Sequence, residues 1–227
     1  MSSYNLKRLL QPKSIALFGG LWIENVANQI KNSNFKGNVW PINPHRKSIA
    51  GYKCFQDISD LPGVPDTAFI GVNRTKTLEI LTKLNEVGCG GATCFAAGFS
   101  EVDKYGKQLQ KKLSKASKDM PFLGPNCYGY INYLDHIHMW PDQHGGKEVE
   151  KGVAIIAQSS NIAINLTMNT RSTPIAYVLT TGNQAKTDMS DLGLAMINDK
   201  RVTAIGIYIE GFKAVSYTHL RAHETST

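Results

Sequence analysis

Two residues invite chemistry before anything else is known about this chain. They are Asn126 and Cys127, inside Pro121-Phe122-Leu123-Gly124-Pro125-Asn126-Cys127-Tyr128-Gly129-Tyr130-Ile131-Asn132. The short apolar run Phe122-Leu123 breaks there into Gly-Pro-Asn-Cys, with another glycine just beyond. Pro125 fixes its own φ, and Asn126 tolerates unusual backbone geometry while offering both a donor and an acceptor. Packing asks for none of this at the end of a buried strand. A loop that presents a ligand and a tight turn around a buried thiol both fit these residue types.

Two other stretches carry similar signals. Gly19-Gly20 stands between the apolar run Ser14–Phe18 and the stripe Ile23, Val26, Ala27, Ile30, whose i, i+3, i+4, i+7 spacing predicts a helix. Strand, glycine turn and helix aim a helix N-terminus at whatever lies above the strand, which suits an anion. The second predicted strand, Asn38–Ile42, runs into Asn43-Pro44-His45-Arg46-Lys47. An acidic residue there would suit a bare ribose; basic side chains suit a ribose that carries a phosphate, as in coenzyme A and NADP. No glycine follows Gly20 until Gly37, so the dinucleotide fingerprint is missing and NAD is disfavoured. His136, His138 and His144 with Asp135 and Asp142 prompt a metal reading, but no ligand array of known spacing accompanies them and no metal is expected.

The elements that must position these loops alternate. A third strand is predicted at 67–72, then a helix with Leu78, Leu81, Leu84 and Val87, ended by Gly88. A fourth strand at 91–95 opens into Ala96-Ala97-Gly98-Phe99-Ser100-Glu101. The next helix is expected to bury Val102, Tyr105, Leu109, Leu113 and Ala116 behind a solvated lysine face. Five strands separated by helices make one open parallel α/β sheet, with loops 19–22, 43–47, 72–75, 96–100 and 124–129 at its carboxyl edge, where such folds bind ligands. Residues 132–151, punctuated by Trp140-Pro141 and glycines, read as a linker. A second α/β unit follows: a strand at 152–157, Gln158-Ser159-Ser160-Asn161, a helix at 162–171, a strand at 175–179, a helix at about 188–198 and a strand at 203–211.

The totals are those of a globular protein. The 227 residues are 42% hydrophobic and 19% charged, with a formal net charge of +7. That charge invites an anionic partner, but the lysines are dispersed and no aromatic–basic RNA motif appears, so nucleic acid is not expected. No apolar run reaches the roughly 20 residues of a membrane helix, and the N-terminus shows no signal-peptide core. Cys54, Cys89, Cys94 and Cys127 form no Cys-x-x-Cys pair and read as reduced thiols of a cytoplasmic protein.

The motifs, in order, resemble the NDP-forming acyl-CoA synthetases, relatives of the succinyl-CoA synthetase α subunit. The likeness rests on Pro12-Lys13-Ser14-Ile15-Ala16, Gly19-Gly20-Leu21, Ile42-Asn43-Pro44, Gly98-Phe99-Ser100-Glu101 and Gly124-Pro125-Asn126-Cys127-Tyr128-Gly129 in the first half. In the second it rests on Gln158-Ser159-Ser160, Gly182-Asn183-Gln184-Ala185 and Tyr208-Ile209-Glu210-Gly211. The resemblance implies a Rossmann-like, doubly wound, CoA-binding domain over 1–131, a linker over 132–151 and part of a flavodoxin-like α/β domain over 152–213. Gly19, Gly20 and Leu21 would hold the coenzyme A phosphates, and Asn43, Pro44 and Arg46 would border the adenosine end. Asn73 would join them at the edge, with Ala96, Ala97 and Gly98 along the pantetheine arm and Asn126 and Cys127 beside the thiol. Gln158, Ser159 and Ser160 would face the acyl substrate, and Glu210 would face a phosphohistidine. Two departures are a missing second glycine in the first loop, at Asn25 or Val26, and Ser160 in place of a glycine.

The implied reaction converts a small carboxylic acid, coenzyme A and ATP into an acyl-CoA, with Mg2+ and an ATP-grasp domain or subunit in the complete enzyme. No histidine motif of the family follows Gly211, and residues 214–227 read as a non-native tail, so this chain is expected to be a fragment, inactive alone. A stand-alone coenzyme A-binding or regulatory module and an NADP-dependent oxidoreductase fragment are the alternatives.

Overall fold

A computed structural model describes residues 6–169 and 173–211. The chain opens with a single helical turn, α1 (Lys7–Leu10), and continues through β1 (Ser14–Gly19), α2 (Leu21–Asn32) and β2 (Asn38–Ile42). A small hairpin, β3 (Ser48–Ile49) and β4 (Tyr52–Lys53), precedes β5 (Thr67–Gly71), α3 (Arg74–Glu86), β6 (Ala92–Cys94), α4 (Lys104–Ala116) and β7 (Phe122–Leu123). Strands β1, β2, β5, β6 and β7 form one parallel sheet in the order β2-β1-β5-β6-β7. The order reverses between β1 and β5, which places the ligand crevice of a doubly wound sheet above those two strands.

The second sheet is mixed. Its elements are β8 (Tyr130–Asn132), β9 (Ile137–Met139), β10 (Gly152–Ala157), α5 (Ser160–Thr167), β11 (Ile175–Thr180), α6 (Met189–Ile197) and β12 (Val202–Tyr208). Strand order is β12-β10-β11-β8-β9, with β10, β11 and β12 parallel and β8 and β9 antiparallel. The segment 132–151, expected as a linker, is therefore largely structural: β9 extends the second sheet, and Tyr133, Ile137, His138, Met139 and Trp140 are buried. Its proline and glycines read as a boundary because Pro141, Gly145 and Gly146 follow the three-residue strand rather than interrupt it.

Helix α2 explains how the two sheets share one core. Its stripe Ile23, Val26, Ala27 and Ile30 is buried as the spacing requires. That face joins Leu9, Ile15 and Phe69 of the first half to Tyr130, Met139, Ala154, Tyr177 and Leu192 of the second. Each large apolar side chain fully buried there stabilises the fold by about 1.5–3 kcal/mol. On the other face of the first sheet, Ala16, Ile70, Leu81, Leu84, Leu109, Leu113 and Phe122 make a separate core under α3 and α4.

Two expected core residues lie outside it. Asp103 caps α4, so the helix begins at Lys104; Val102 precedes it at 63% exposure, and Tyr105 is 55% exposed. The Tyr105 ring lies against the Arg74 guanidinium, 5.1 Å away. Helix α5 starts at Ser160 and ends at Thr167, earlier at both ends than the expected 162–171. Residues 214–227, read as a non-native tail, lie outside the described residues.

Candidate functional site

The carboxyl edge of the first sheet collects the loops that the sequence singled out. At the crevice, Gly19 has φ 144 and packs so closely on the neighbouring strand that a Cβ there would stand 2.6 Å from the Gly71 carbonyl oxygen. Only glycine fits. Gly20, at the N-cap of α2, supplies no side chain to cap the helix, and the space a Cβ would occupy there is open. The first-turn amides of α2 thus carry the positive end of the helix dipole without a side-chain partner, a fit for phosphate oxygens.

Asn43 ties the next loop to this one. Its side-chain amide donates to the Gly19 carbonyl at 2.7 Å, and its Oδ1 accepts from the His45 amide at 2.9 Å. Arg46 extends over the same region in a two-pronged pair with Glu24 of α2, at 2.7 and 3.2 Å. The guanidinium beside Glu24 holds that carboxyl below its ordinary range. Arg46 is thus at the expected edge, engaged by a carboxylate.

On the far side of the crevice, Asn73 caps α3 by accepting from the Lys76 amide. Arg74 follows it and donates to the carbonyl of Gly98. Gly98 has φ 95, and its amide and that of Phe99 donate to Glu101 Oε1 at 2.6 and 3.1 Å. The Ala96 carbonyl accepts the Asn126 amide at 2.9 Å, joining the β6 and β7 loops. Ala97 is solvent-exposed between them.

Asn126 takes φ 57, as its residue type allows, after a cis Gly124–Pro125 peptide. Cys127 turns the other way. Its thiol is buried, donates to the Thr180 carbonyl at 3.0 Å and lies 3.2 Å from Thr180 Oγ1. Burial pushes the thiol up to about 11. Cys127 therefore fastens the loop to β11 from behind as a protonated thiol.

The second half closes on this loop. The Asn183 amide donates to the Pro125 carbonyl and the Ala185 amide to the Gly124 carbonyl, both at 2.9 Å. The Asn183 side chain reaches Glu101 and Gln110. Beside them, Ser159 caps α5 without a side-chain hydrogen bond, and Ser160 Oγ accepts the Tyr128 amide at 3.3 Å. Gln158 faces elsewhere: its Oε1 accepts the amides of Glu210 and Gly211, at 2.5 and 2.8 Å, and its Nε2 donates to the Gly211 carbonyl. Glu210 itself is exposed.

Sequence reasoning missed three features. Arg74 and the rings of Trp22 and Tyr128 stand at this edge, as does the docking of Asn183. Arg74 was legible as the residue after Asn73; the Trp22–Phe95 and Phe95–Tyr128 ring contacts depend on how α2 packs beside the loops after β6 and β7, which spacing does not encode. The histidines do meet: His138 Nε2 lies 3.6 Å and His136 Nδ1 4.0 Å from Glu148 Oε1, and the His138 and His144 rings are 4.7 Å apart. Among the described residues, no group of three or more metal-ligating side chains is placed to hold an ion, and no helix is long and apolar enough to cross a membrane.

Comparison with known proteins agrees with this geometry. Residues 13–133 match the CoA binding domain, and residues 150–225 match the succinyl-CoA ligase like flavodoxin domain. A trans-feruloyl-CoA synthase from an unknown prokaryotic organism is 28% identical over 98% of this chain and 34% of its own length. The ADP-forming acetate–CoA ligase of Methanocaldococcus jannaschii is 31% identical over 92% of this chain and 30% of its own. Among solved structures, acetyl-coenzyme A synthetase 1 of Ca. Korarchaeum cryptofilum, in complex with phosphate and ADP, superposes with a TM-score of 0.81. It is 30% identical over 93% of this chain and 47% of that one. The chain spans about a third of the first two relatives and about half of the third. With more than half of its residues matched and the edge loops in place, the chain belongs to the CoA binding domain family, followed by a succinyl-CoA ligase like segment.

Proposed function

We propose that this chain binds coenzyme A along the carboxyl edge of its first sheet, as part of an acid–thiol ligase of the NDP-forming acyl-CoA synthetase type. The observation that carries the reading is the convergence of five strand-end loops, knitted together by Asn43, Asn126 and Asn183, over one uncapped helix N-terminus. Gly19, Gly20 and Leu21 hold the phosphates through main-chain amides, and Asn43, Pro44 and Arg46 border the adenosine end. Asn73, Ala96, Ala97 and Gly98 line the pantetheine arm, and Asn126 faces the thiol end while Cys127 fixes the loop behind it.

Gln158, Ser159 and Ser160 belong to the acyl subsite in this reading. Ser159 and Ser160 present hydroxyls at the α5 N-terminus, while Gln158 clamps the strand end that carries Glu210. Glu210 would orient a phosphohistidine imidazole supplied from outside the described residues. The parent enzyme would join a carboxylic acid to coenzyme A with ATP and Mg2+, through an ATP-grasp domain or subunit.

Titration calorimetry with coenzyme A, dephospho-coenzyme A and NADP tests the reading. Coenzyme A should bind, and loss of its 3′-phosphate should weaken binding by about 1–3 kcal/mol where a guanidinium pairs with it. NADP binding as tight as coenzyme A would overturn the assignment in favour of an oxidoreductase fragment.

A further inference from the structure

Two polar side chains in the sequence motifs have no part in the coenzyme A reading. Glu101 ends Gly98-Phe99-Ser100-Glu101, and Asn183 lies in Gly182-Asn183-Gln184-Ala185. They come from opposite halves of the chain, and they meet. Asn183 Nδ2 donates to Glu101 Oε2 and, at 3.0 Å, to Gln110 Oε1 of α4. The other carboxylate oxygen turns back on its own loop, where Glu101 Oε1 accepts the amides of Gly98 and Phe99 at 2.6 and 3.1 Å. Gln110 Oε1 also takes the Ser100 amide, at 3.4 Å. A solvated surface carboxylate needs none of this; one that gathers N–H donors from two halves of a fold forms the stronger, charge-assisted kind of hydrogen bond.

These bonds select what the loop after β6 can offer a ligand. Glu101 takes the amides of Gly98 and Phe99, Arg74 donates to the Gly98 carbonyl, and the Asn126 amide donates to the Ala96 carbonyl. Ala97 stands between them, exposed, and its amide and carbonyl take no partner among the described residues. One open donor beside one open acceptor on a fixed backbone suits a ligand that is itself a chain of amides, and the pantetheine arm carries two. Gly98, at φ 95, holds a left-handed backbone that would be free to swing without these ties.

We propose that Glu101 is a positioning residue for the pantetheine arm: paired with Asn183, it fixes loop 96–100 so that the main-chain amide and carbonyl of Ala97 stay open to the amide groups of the arm. This rests on the coenzyme A reading and deepens it. Asn183 holds the neighbouring wall as well, since its own amide donates to the Pro125 carbonyl at 2.9 Å. The phosphate loop is tied separately, through the Asn43 side chain on the Gly19 carbonyl. Loss of Glu101 therefore acts on the arm and spares the nucleotide end.

Calorimetry of the full chain with coenzyme A, and with adenosine 3′-phosphate 5′-diphosphate as the same nucleotide without its arm, reads that difference. Glu101→Ala should weaken coenzyme A about tenfold and leave the armless nucleotide within about twofold, the loss expected for one or two charge-assisted hydrogen bonds. Glu101→Gln still accepts the two loop amides but sets an NH2 group against that of Asn183, so its loss should be smaller. Adding Asn183→Asp to Glu101→Gln reverses donor and acceptor across the contact, with the Gln110 amide turned to match, and should recover most of the lost affinity. Equal losses on the two ligands, coenzyme A unaffected by Glu101→Ala, or a double variant no tighter than Glu101→Gln would overturn the inference while coenzyme A binding stood. If the wild-type chain bound neither coenzyme A nor the nucleotide, the underlying reading would fall with it.

Discussion

Replacing Gly182 by alanine probes the joint between the two halves at its tightest point. Gly182 has φ 50, in the left-handed region, and a Cβ there would overlap the carbonyl oxygens of both Pro125 and Asn126. Both obstacles are backbone, which cannot swing aside as a flexible side chain can. Forcing alanine into the left-handed region costs about 1 kcal/mol relative to glycine. Moving the loop away to relieve the overlap stretches two hydrogen bonds, from the Asn183 amide to Pro125 and from the Ala185 amide to Gly124. At about 1 kcal/mol net for each, the total destabilisation is about 3 kcal/mol. For a protein of this size that lowers Tm by roughly 6–12 °C.

A companion variant separates the two causes. Gly182→Asn keeps a Cβ but suits the left-handed region, so it should lose about 2 kcal/mol rather than 3. Thermal unfolding followed by circular dichroism and scanning calorimetry reads both. Because loop 181–185 supports loop 124–127, coenzyme A affinity at 20 °C should also drop several-fold in both variants. A Tm within about 2 °C of wild type for alanine would refute the docking argument, as would complete rescue by asparagine, since that would leave only the dihedral.

Other expectations follow from single contacts. Glu24→Gln should release Arg46 and tighten coenzyme A several-fold without changing dephospho-coenzyme A, as measured by calorimetry; equal effects on both ligands would place Arg46 away from the 3′-phosphate. Asp135→Asn breaks the paired contacts to Arg201 at 2.7 and 3.0 Å, and should cost about 1–2 kcal/mol in urea unfolding, discounted for the partial exposure of both groups. Burial and the neighbouring histidines push His138 down to about 3 from an ordinary 6.5. The unfolded chain therefore binds the extra proton first, so stability is full above pH 6.5 and drains as pH falls toward 3, by up to about 1.4 kcal/mol per pH unit. Urea midpoints at pH 7, 6 and 5 should show that slope, and His138→Gln should remove most of it, leaving the share of His144, which burial also lowers.

The first sheet was legible because its signals are local. The apolar run Ser14–Phe18 is a buried strand, and the stripe Ile23 to Ile30 is buried as its spacing predicts, whereas the stripe expected on α4 keeps Leu109 and Leu113 inside and loses Val102 and Tyr105 to solvent. The loops at the edge were legible for the same reason, since glycine, proline and asparagine mark the backbone they need. What failed was long-range. Nothing in the spacing of Ile137, His138 and Met139 says that they pair with Tyr130–Asn132, because a three-residue strand is too short to show a period. Nor does residue type tell that Cys127 points at Thr180, 53 residues away, instead of at a ligand.

These long-range contacts change how the edge should be understood. A lone parallel sheet would leave the loop 124–129 held by its own turn, free to sample other geometries. Here its front and back are both occupied. Thr180 takes the Cys127 thiol behind, Gly182 to Ala185 bond the Gly124 and Pro125 carbonyls from one side, and Ser160 takes the Tyr128 amide from the other. The Asn126 amide is spent on Ala96. With those groups fixed, the Asn126 side chain is presented by two sheets at once, and its position depends on their shared core of Tyr130, Tyr177 and Ala154 as much as on its own loop. Binding at this edge and docking of the halves are then one equilibrium, since a ligand that orders loop 124–129 also favours the docked second sheet, and loosening the second sheet weakens the ligand by the same free energy.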